Sequence, residues 1–123
     1  MMNIYKKILL PLTLNFLINS SFANSNSFNE IETLALKGDA SGQINLGLMY
    51  ANGQGIARNP ALANEWYLKA ANNGSAMAQF NIGQHYLHGS NGLPKNRVQA
   101  LNWLKKAANN GHAQAKLVLA GLQ

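Results

Sequence analysis

Three histidines are the residues of this chain best suited to chemistry. His85 and His88 stand three apart, about one helical turn, close enough to share a metal ion. His112 joins them only if folding carries it over. A closed zinc site takes four ligands, and there is no cysteine to supply a thiolate. Beyond residue 23 the acids are Glu30, Glu32, Asp39 and Glu65, none near the pair in sequence. The histidines therefore read as surface residues at a helix end. Gly53-Gln54-Gly55 suggests a phosphate loop, but a dinucleotide loop follows a strand and carries a third glycine three residues on. This one follows a helical pattern and reads as a connector. Serine, histidine and acid are all present, yet there is no nucleophile elbow and too few carboxylates for a hydrolytic triad. The sequence predicts no catalytic residue, no metal and no cofactor, and so a protein that is not an enzyme.

The elements that would position any site come in copies. Ala63-Asn64-Glu65-Trp66-Tyr67-Leu68-Lys69-Ala70-Ala71-Asn72-Asn73-Gly74 returns as Ala100-Leu101-Asn102-Trp103-Leu104-Lys105-Lys106-Ala107-Ala108-Asn109-Asn110-Gly111, a step of 37. Leu46-Gly47-Leu48-Met49-Tyr50 returns as Ile82-Gly83-Gln84-His85-Tyr86, a step of 36. The extra residue falls in the loop, where Gly53-Gln54-Gly55 becomes Gly89-Ser90-Asn91-Gly92. Such a period marks stacked helical repeats, each burying its apolar face against its neighbours. Asn59-Pro60 is a good helix start, as Asn caps and Pro suits the first turn. Ala63, Trp66, Tyr67, Ala70 and Ala71 then form one apolar stripe, and Gly74 supplies the left-handed stop. Asn96, the Ala100-to-Ala108 stripe and Gly111 repeat the pattern. Shorter helices are predicted over Ala40 to Ala51 and Ser75 to Leu87. The four Asn-Gly pairs (from Asn52, Asn73, Asn91 and Asn110) read as helix ends because the flanking period is 3.6 and not 2, which excludes an all-β fold. Tryptophans and tyrosines on the stripe are expected in the core. Gly47 and Gly83, mid-helix at one register, are expected to admit a neighbouring helix, with the tryptophan of the following helix against each.

The chain of 123 residues is 47% hydrophobic and 11% charged, which fits one folded domain. Lys6-Lys7, the apolar run from Ile8 to Ile18, and Ser21 and Ala23 at the positions a signal peptidase reads predict a signal peptide over 1–23. The run is too short for a membrane anchor, which takes about 20 residues. The expected product is exported, to the periplasm or beyond, with no stable membrane insertion after cleavage. Losing two lysines leaves eight Lys and Arg against four Asp and Glu, a net charge of +4 in place of +6. The positives are scattered, so no nucleic-acid partner is expected.

Residues 24–29, rich in Asn and Ser, read as a flexible leader. The rest divides into a half repeat over 30–38, full repeats over 39–74 and 75–111, and a closing half repeat over 112–123, in which Gln123 stands at the register of Tyr86. The string Leu-Gly-x-x-Tyr, a Gly-x-Gly loop and Ala-x-x-Trp-Tyr-x-Lys-Ala-Ala resembles the Sel-one-like repeat, a relative of the tetratricopeptide repeat, across nearly all of 30–123. Departures are modest: Gly42 stands where Ala78 and Ala115 stand in the other units, and Asn59 and Asn96 replace the usual Asp. The resemblance implies an all-α, α/α superhelical solenoid whose first helices line a concave groove. It also implies an adaptor that binds proteins or peptides, in bacteria often an exported one.

On a helical wheel the positions opposite the buried stripe are Ser41, Asn45, Leu48 and Asn52 in the first unit. In the second they are Met77, Asn81, Gln84 and His88, and in the third Gln114. Amides donate and accept, so the set suits peptide-backbone recognition, although asparagine is abundant throughout, at eighteen residues. Ile44, Phe80 and Leu117 are expected to pack between units. The expected function is a monomeric exported protein-interaction module. The alternatives are a periplasmic immunity protein that blocks a cognate toxin, a structural subunit of an envelope complex or, less favoured, an envelope hydrolase.

Overall fold

The computed structural model describes residues 27–122, so the expected signal peptide and Gln123 lie outside the described residues. Among the described residues six helices follow one another: α1 over 27–36, α2 Ala40–Asn52, α3 Pro60–Asn72, α4 Ala76–His88, α5 Arg97–Asn109 and α6 Ala113–Leu122. There is no strand among the described residues. Residues 27–29, expected in a leader, are helical and belong to α1, where the Phe28 ring meets Tyr50 edge-on at 6.4 Å. No helix among the described residues is long and apolar enough to cross a membrane.

The starts of α2 to α6 are each set by a side chain that accepts an otherwise orphaned backbone N–H. Asp39 accepts from Gly42 at 2.7 Å and Ser75 from Ala78 at 3.2 Å; His112 Nδ1 does so for Ala115 at 3.2 Å. Asn59 and Asn96 cap α3 and α5 by accepting from Leu62 and Gln99, both at 3.1 Å. Their own backbone N–H groups donate to the Tyr50 and Tyr86 carbonyls at 2.8 Å, closing the two loops alike. Gly53 and Gly89 end α2 and α4 in the left-handed conformation.

Successive helices pack α2 on α3, α3 on α4, α4 on α5 and α5 on α6. Leu46, Ile82 and Leu104 are the largest wholly buried side chains, and Tyr67 is buried beside them. The mid-helix glycines do admit a neighbour, but it is not tryptophan. A Cβ on Gly47 would lie 2.8 Å from Tyr67 Cε1, and one on Gly83 would lie 2.9 Å from Leu104 Cγ. Trp66 and Trp103, expected in the core, are half-buried. Ala63, Tyr67 and Ala70 lie on the line that faces the preceding helix, and the residue before Tyr67 is turned by about 100° from it. The rings are roofed instead by lysine, with Lys69 Nζ 4.1 Å above Trp66 and Lys106 Nζ 4.5 Å above Trp103.

Gly42 departs from alanine for a visible reason. A Cβ there would lie 2.8 Å from Leu34 Cβ and 2.9 Å from the Ala35 backbone nitrogen. The first unit thus holds α1 against α2 too closely for any side chain at this register. Ile44 packs between units as expected, and Phe80 stacks on His112 at 4.3 Å. Leu117, at the same register, is 72% exposed, because no further unit covers it among the described residues.

A polar line runs through this apolar stack. Gln43 and Gln79, both buried, donate through Nε2 to the Ala35 carbonyl at 3.2 Å and the Ala71 carbonyl at 3.0 Å. Their carbonyl oxygens accept from Asn73 Nδ2 at 3.2 Å and Asn110 Nδ2 at 2.8 Å. Each glutamine therefore ties the helix before it to the end of the helix after it, and each buried amide has both ends paired.

Candidate protein-binding surface

The first helices of the units carry the predicted stripe. On α2, Ser41, Asn45, Leu48 and Asn52 are all exposed, Leu48 at 40%. On α4, Met77 is 56% exposed and His88 is exposed, whereas Asn81 and Gln84 are half-buried. Gln84 Oε1 is buried with no hydrogen-bond partner. Gln114 on α6 is exposed. The stripe is thus open on α2 and partly closed on α4.

Beside α2 it opens into a cavity of about 500 Å³ lined by Asn45 and Leu48, with Met49, Ser27, Ile31, Gln54 and Gly55. Asn45 and Leu48 come from the predicted set. Met49 is on α2 as well; Ser27, expected in the leader, and Ile31, expected in the half repeat, come from α1, and Gln54 and Gly55 from the α2–α3 connector. The apolar pair Phe28 and Ile31 at helical spacing was the available signal for α1.

In the second unit the corresponding space is bridged by polar contacts. His85 stands where Met49 stands, and its Nδ1–H donates to Asn64 Oδ1 at 3.1 Å. Its Nε2 accepts from Asn91 Nδ2 at 3.2 Å, and Asn64 Nδ2 donates to the Asn91 carbonyl. The acceptor on Asn64 and the donor on Asn91 require the neutral imidazole with its proton on Nδ1. Asn91 reaches this position because it adopts the left-handed conformation, with φ of 54°, which asparagine tolerates better than most residues. The three histidines of the sequence thus have separate places. His85 is tied into this ring, His88 is exposed, and His112 caps α6. Among the described residues no three of His, Cys, Asp and Glu come together to hold a metal ion.

Burial pushes the His85 imidazole below its ordinary value of 6.5, because desolvation disfavours the cation. As pH falls below 6.5 the unfolded chain takes up this proton before the folded one does, so stability declines with falling pH and levels off below the folded value. His85→Met, which installs the residue of the first unit, is expected to remove that part of the pH dependence. Urea denaturation at steps between about pH 7.5 and 5 checks it, and an unchanged slope for the variant would refute the assignment.

The sequence pattern of the Sel1 repeat matches residues 40–75 and again 76–112. The chain belongs to the Sel1 repeat family. Among solved structures it is similar to a Sel1 repeat protein from Oxalobacter formigenes, at 36% identity and a TM-score of 0.74 over 90% of this chain and 45% of that one. It is also similar to c5321, a protective antigen of uropathogenic Escherichia coli with the same repeat fold, at 33% identity and a TM-score of 0.65 over 69% of this chain and 18% of that one. The chain thus spans less than half the length of either. No curated protein matches it. Sel1 repeats are protein-interaction modules, and the solenoid they build here is all-α.

Proposed function

We propose that the chain is an exported, non-enzymatic adaptor that docks a protein or peptide reversibly along the first helices of its repeats. One observation carries the reading: the α2 stripe is open, and Asn45 and Leu48 face a cavity of about 500 Å³ that no other part of the described chain fills. An amide beside an apolar side chain suits an extended peptide, whose backbone needs donors and acceptors while its side chains need cover. Export rests on the Lys6-Lys7 and Ile8-to-Ile18 layout with small residues at Ser21 and Ala23. Mild basicity favours an acidic partner.

Leu48 and Met77 are the places to test it, because both are exposed enough to accept a charge without unfolding. Gln84 is a poorer choice, since its half-buried amide would confound binding with stability. A photo-crosslinking side chain at position 48 or 77 is expected to capture the natural partner from the native envelope, and one at exposed Val98 is not. Leu48→Glu with Met77→Glu is expected to abolish capture with the thermal melt retained. Capture that is equal from position 98, or that survives the double substitution, would move the interface elsewhere.

A further inference from the structure

A second cavity, of about 250 Å³, lies between α3, α4 and the α4–α5 loop. Leu68, Ile82, Tyr86 and Leu93 line it, with Asn64, Asn91 and Glu65 among its polar groups. Ile82 and Tyr86 project from the side of α4 away from Met77, Gln84 and His88, so this is a different place from the groove.

The repeat register shows what such a space holds. The step of 36 that relates Tyr50 to Tyr86 also relates Phe28 to Asn64. In the first unit Phe28 packs its ring against Tyr50, edge to face, with centroids 6.4 Å apart and planes at 86°. In the second unit Asn64 replaces that ring and turns to His85 and Asn91, so the face of Tyr86 that would meet a phenylalanine borders a cavity. Asn91, in the loop that carries the extra residue, accepts from Asn64 Nδ2 through its backbone carbonyl and so holds that side chain aside. Leu68, 40% exposed, completes an apolar wall, and Glu65 is the one carboxylate among the lining residues.

We infer that this cavity is a binding site for an aromatic side chain of a partner peptide, with a basic residue next to it. The ring takes the place that Phe28 holds in the first unit, edge-on to Tyr86, an arrangement aromatic pairs favour. The neighbouring cation lies against Glu65, which selects lysine or arginine over an acid beside the ring.

The test is a titration of the full-length protein, labelled with ¹⁵N, with acetyl-Phe-Lys-amide. The expected result is saturable shifts of the Leu68, Tyr86, Gly92 and Leu93 amides. Acetyl-Ala-Lys-amide is expected to give none, and acetyl-Phe-Glu-amide to bind several-fold more weakly. Glu65→Lys is expected to reverse the preference between the two phenylalanine probes. Asn64→Phe, which rebuilds the first unit's ring from within, is expected to abolish the shifts. Because that change also breaks the ring of contacts around His85, Leu68→Asp provides a second variant at an exposed position, with the same loss expected. Equal shifts with the alanine probe would overturn the inference. So would shifts confined to the groove residues, absence of any shift at these amides, or shifts that survive Leu68→Asp.

Discussion

Replacing Leu104 by alanine is expected to lower the free energy of unfolding by about 2–5 kcal/mol, the range for emptying a closed apolar site. Leu104 is wholly buried where α5 meets α4, its Cγ held against the bare backbone of Gly83. Its buried neighbours are Ala107 and Ala115, with Phe80, Val118, Leu119 and Leu122 around them. Glycine and alanines have no side-chain reach with which to collapse into the space, so any relaxation is left to the partly buried Phe80, Val118, Leu119 and Leu122. For a domain held by about 5–15 kcal/mol in total, that is a large share. Urea denaturation followed by far-ultraviolet circular dichroism measures it. A loss under about 1 kcal/mol would mean that the seam is not closed.

Gly42→Ala is expected to destabilise by about 1–3 kcal/mol, as overpacking does, although alanine is the residue at the same register in the other two units. Exchanging a helical glycine for alanine would otherwise stabilise, by at most about 1 kcal/mol in a first turn such as this. The opposite sign is expected here because the new Cβ meets Leu34 Cβ at 2.8 Å and the Ala35 nitrogen at 2.9 Å. The second of these is backbone and cannot rotate away, so α1 must shift as a whole. Gly121→Ala is the control: nothing lies within 4 Å of a Cβ at that position, and no loss is expected. If Gly42→Ala raises the melting temperature, α1 does not rest on α2 as described.

How much could be read from residues alone depended on whether the signal was local. Asn59-Pro60, Asn96, Gly74 and Gly111 act within one turn of the chain, and each stands where its chemistry placed it. The mid-helix glycines announced a close approach, but not to which residue. Trp66 and Tyr67 are adjacent, and a wheel cannot tell the centre of a face from its margin without knowing the crossing of the two helices. Gln43 and Gln79 were missed because an amide is usually exposed. Their recurrence at a step of 36, with Asn73 and Asn110 at a step of 37, was the one sign that they are structural. The stripe of Ser41, Asn45, Leu48 and Asn52 followed from periodicity, and all four are exposed. The two cavities were not legible, since each needs a loop and two helices from different units. Asn64 in place of Phe28 and His85 in place of Met49 become informative only when the copies are laid on each other in space.

The glutamine line bears on how such an array comes apart. Gln43 reaches full pairing only with Ala35 of the preceding half unit in place, and Gln79 only with Ala71 of the preceding unit. Peeling away the preceding unit would break that Nε2 bond and leave the amide to water, a loss of about 0.5–1.5 kcal/mol beyond the lost apolar contact. The blocks are therefore joined more tightly than their mutual oil would make them, and a single concerted melt is expected where a looser pile would fray from its ends. At the third place in the line stands Lys116, exposed to solvent, whose ammonium can donate as the glutamines do but cannot accept.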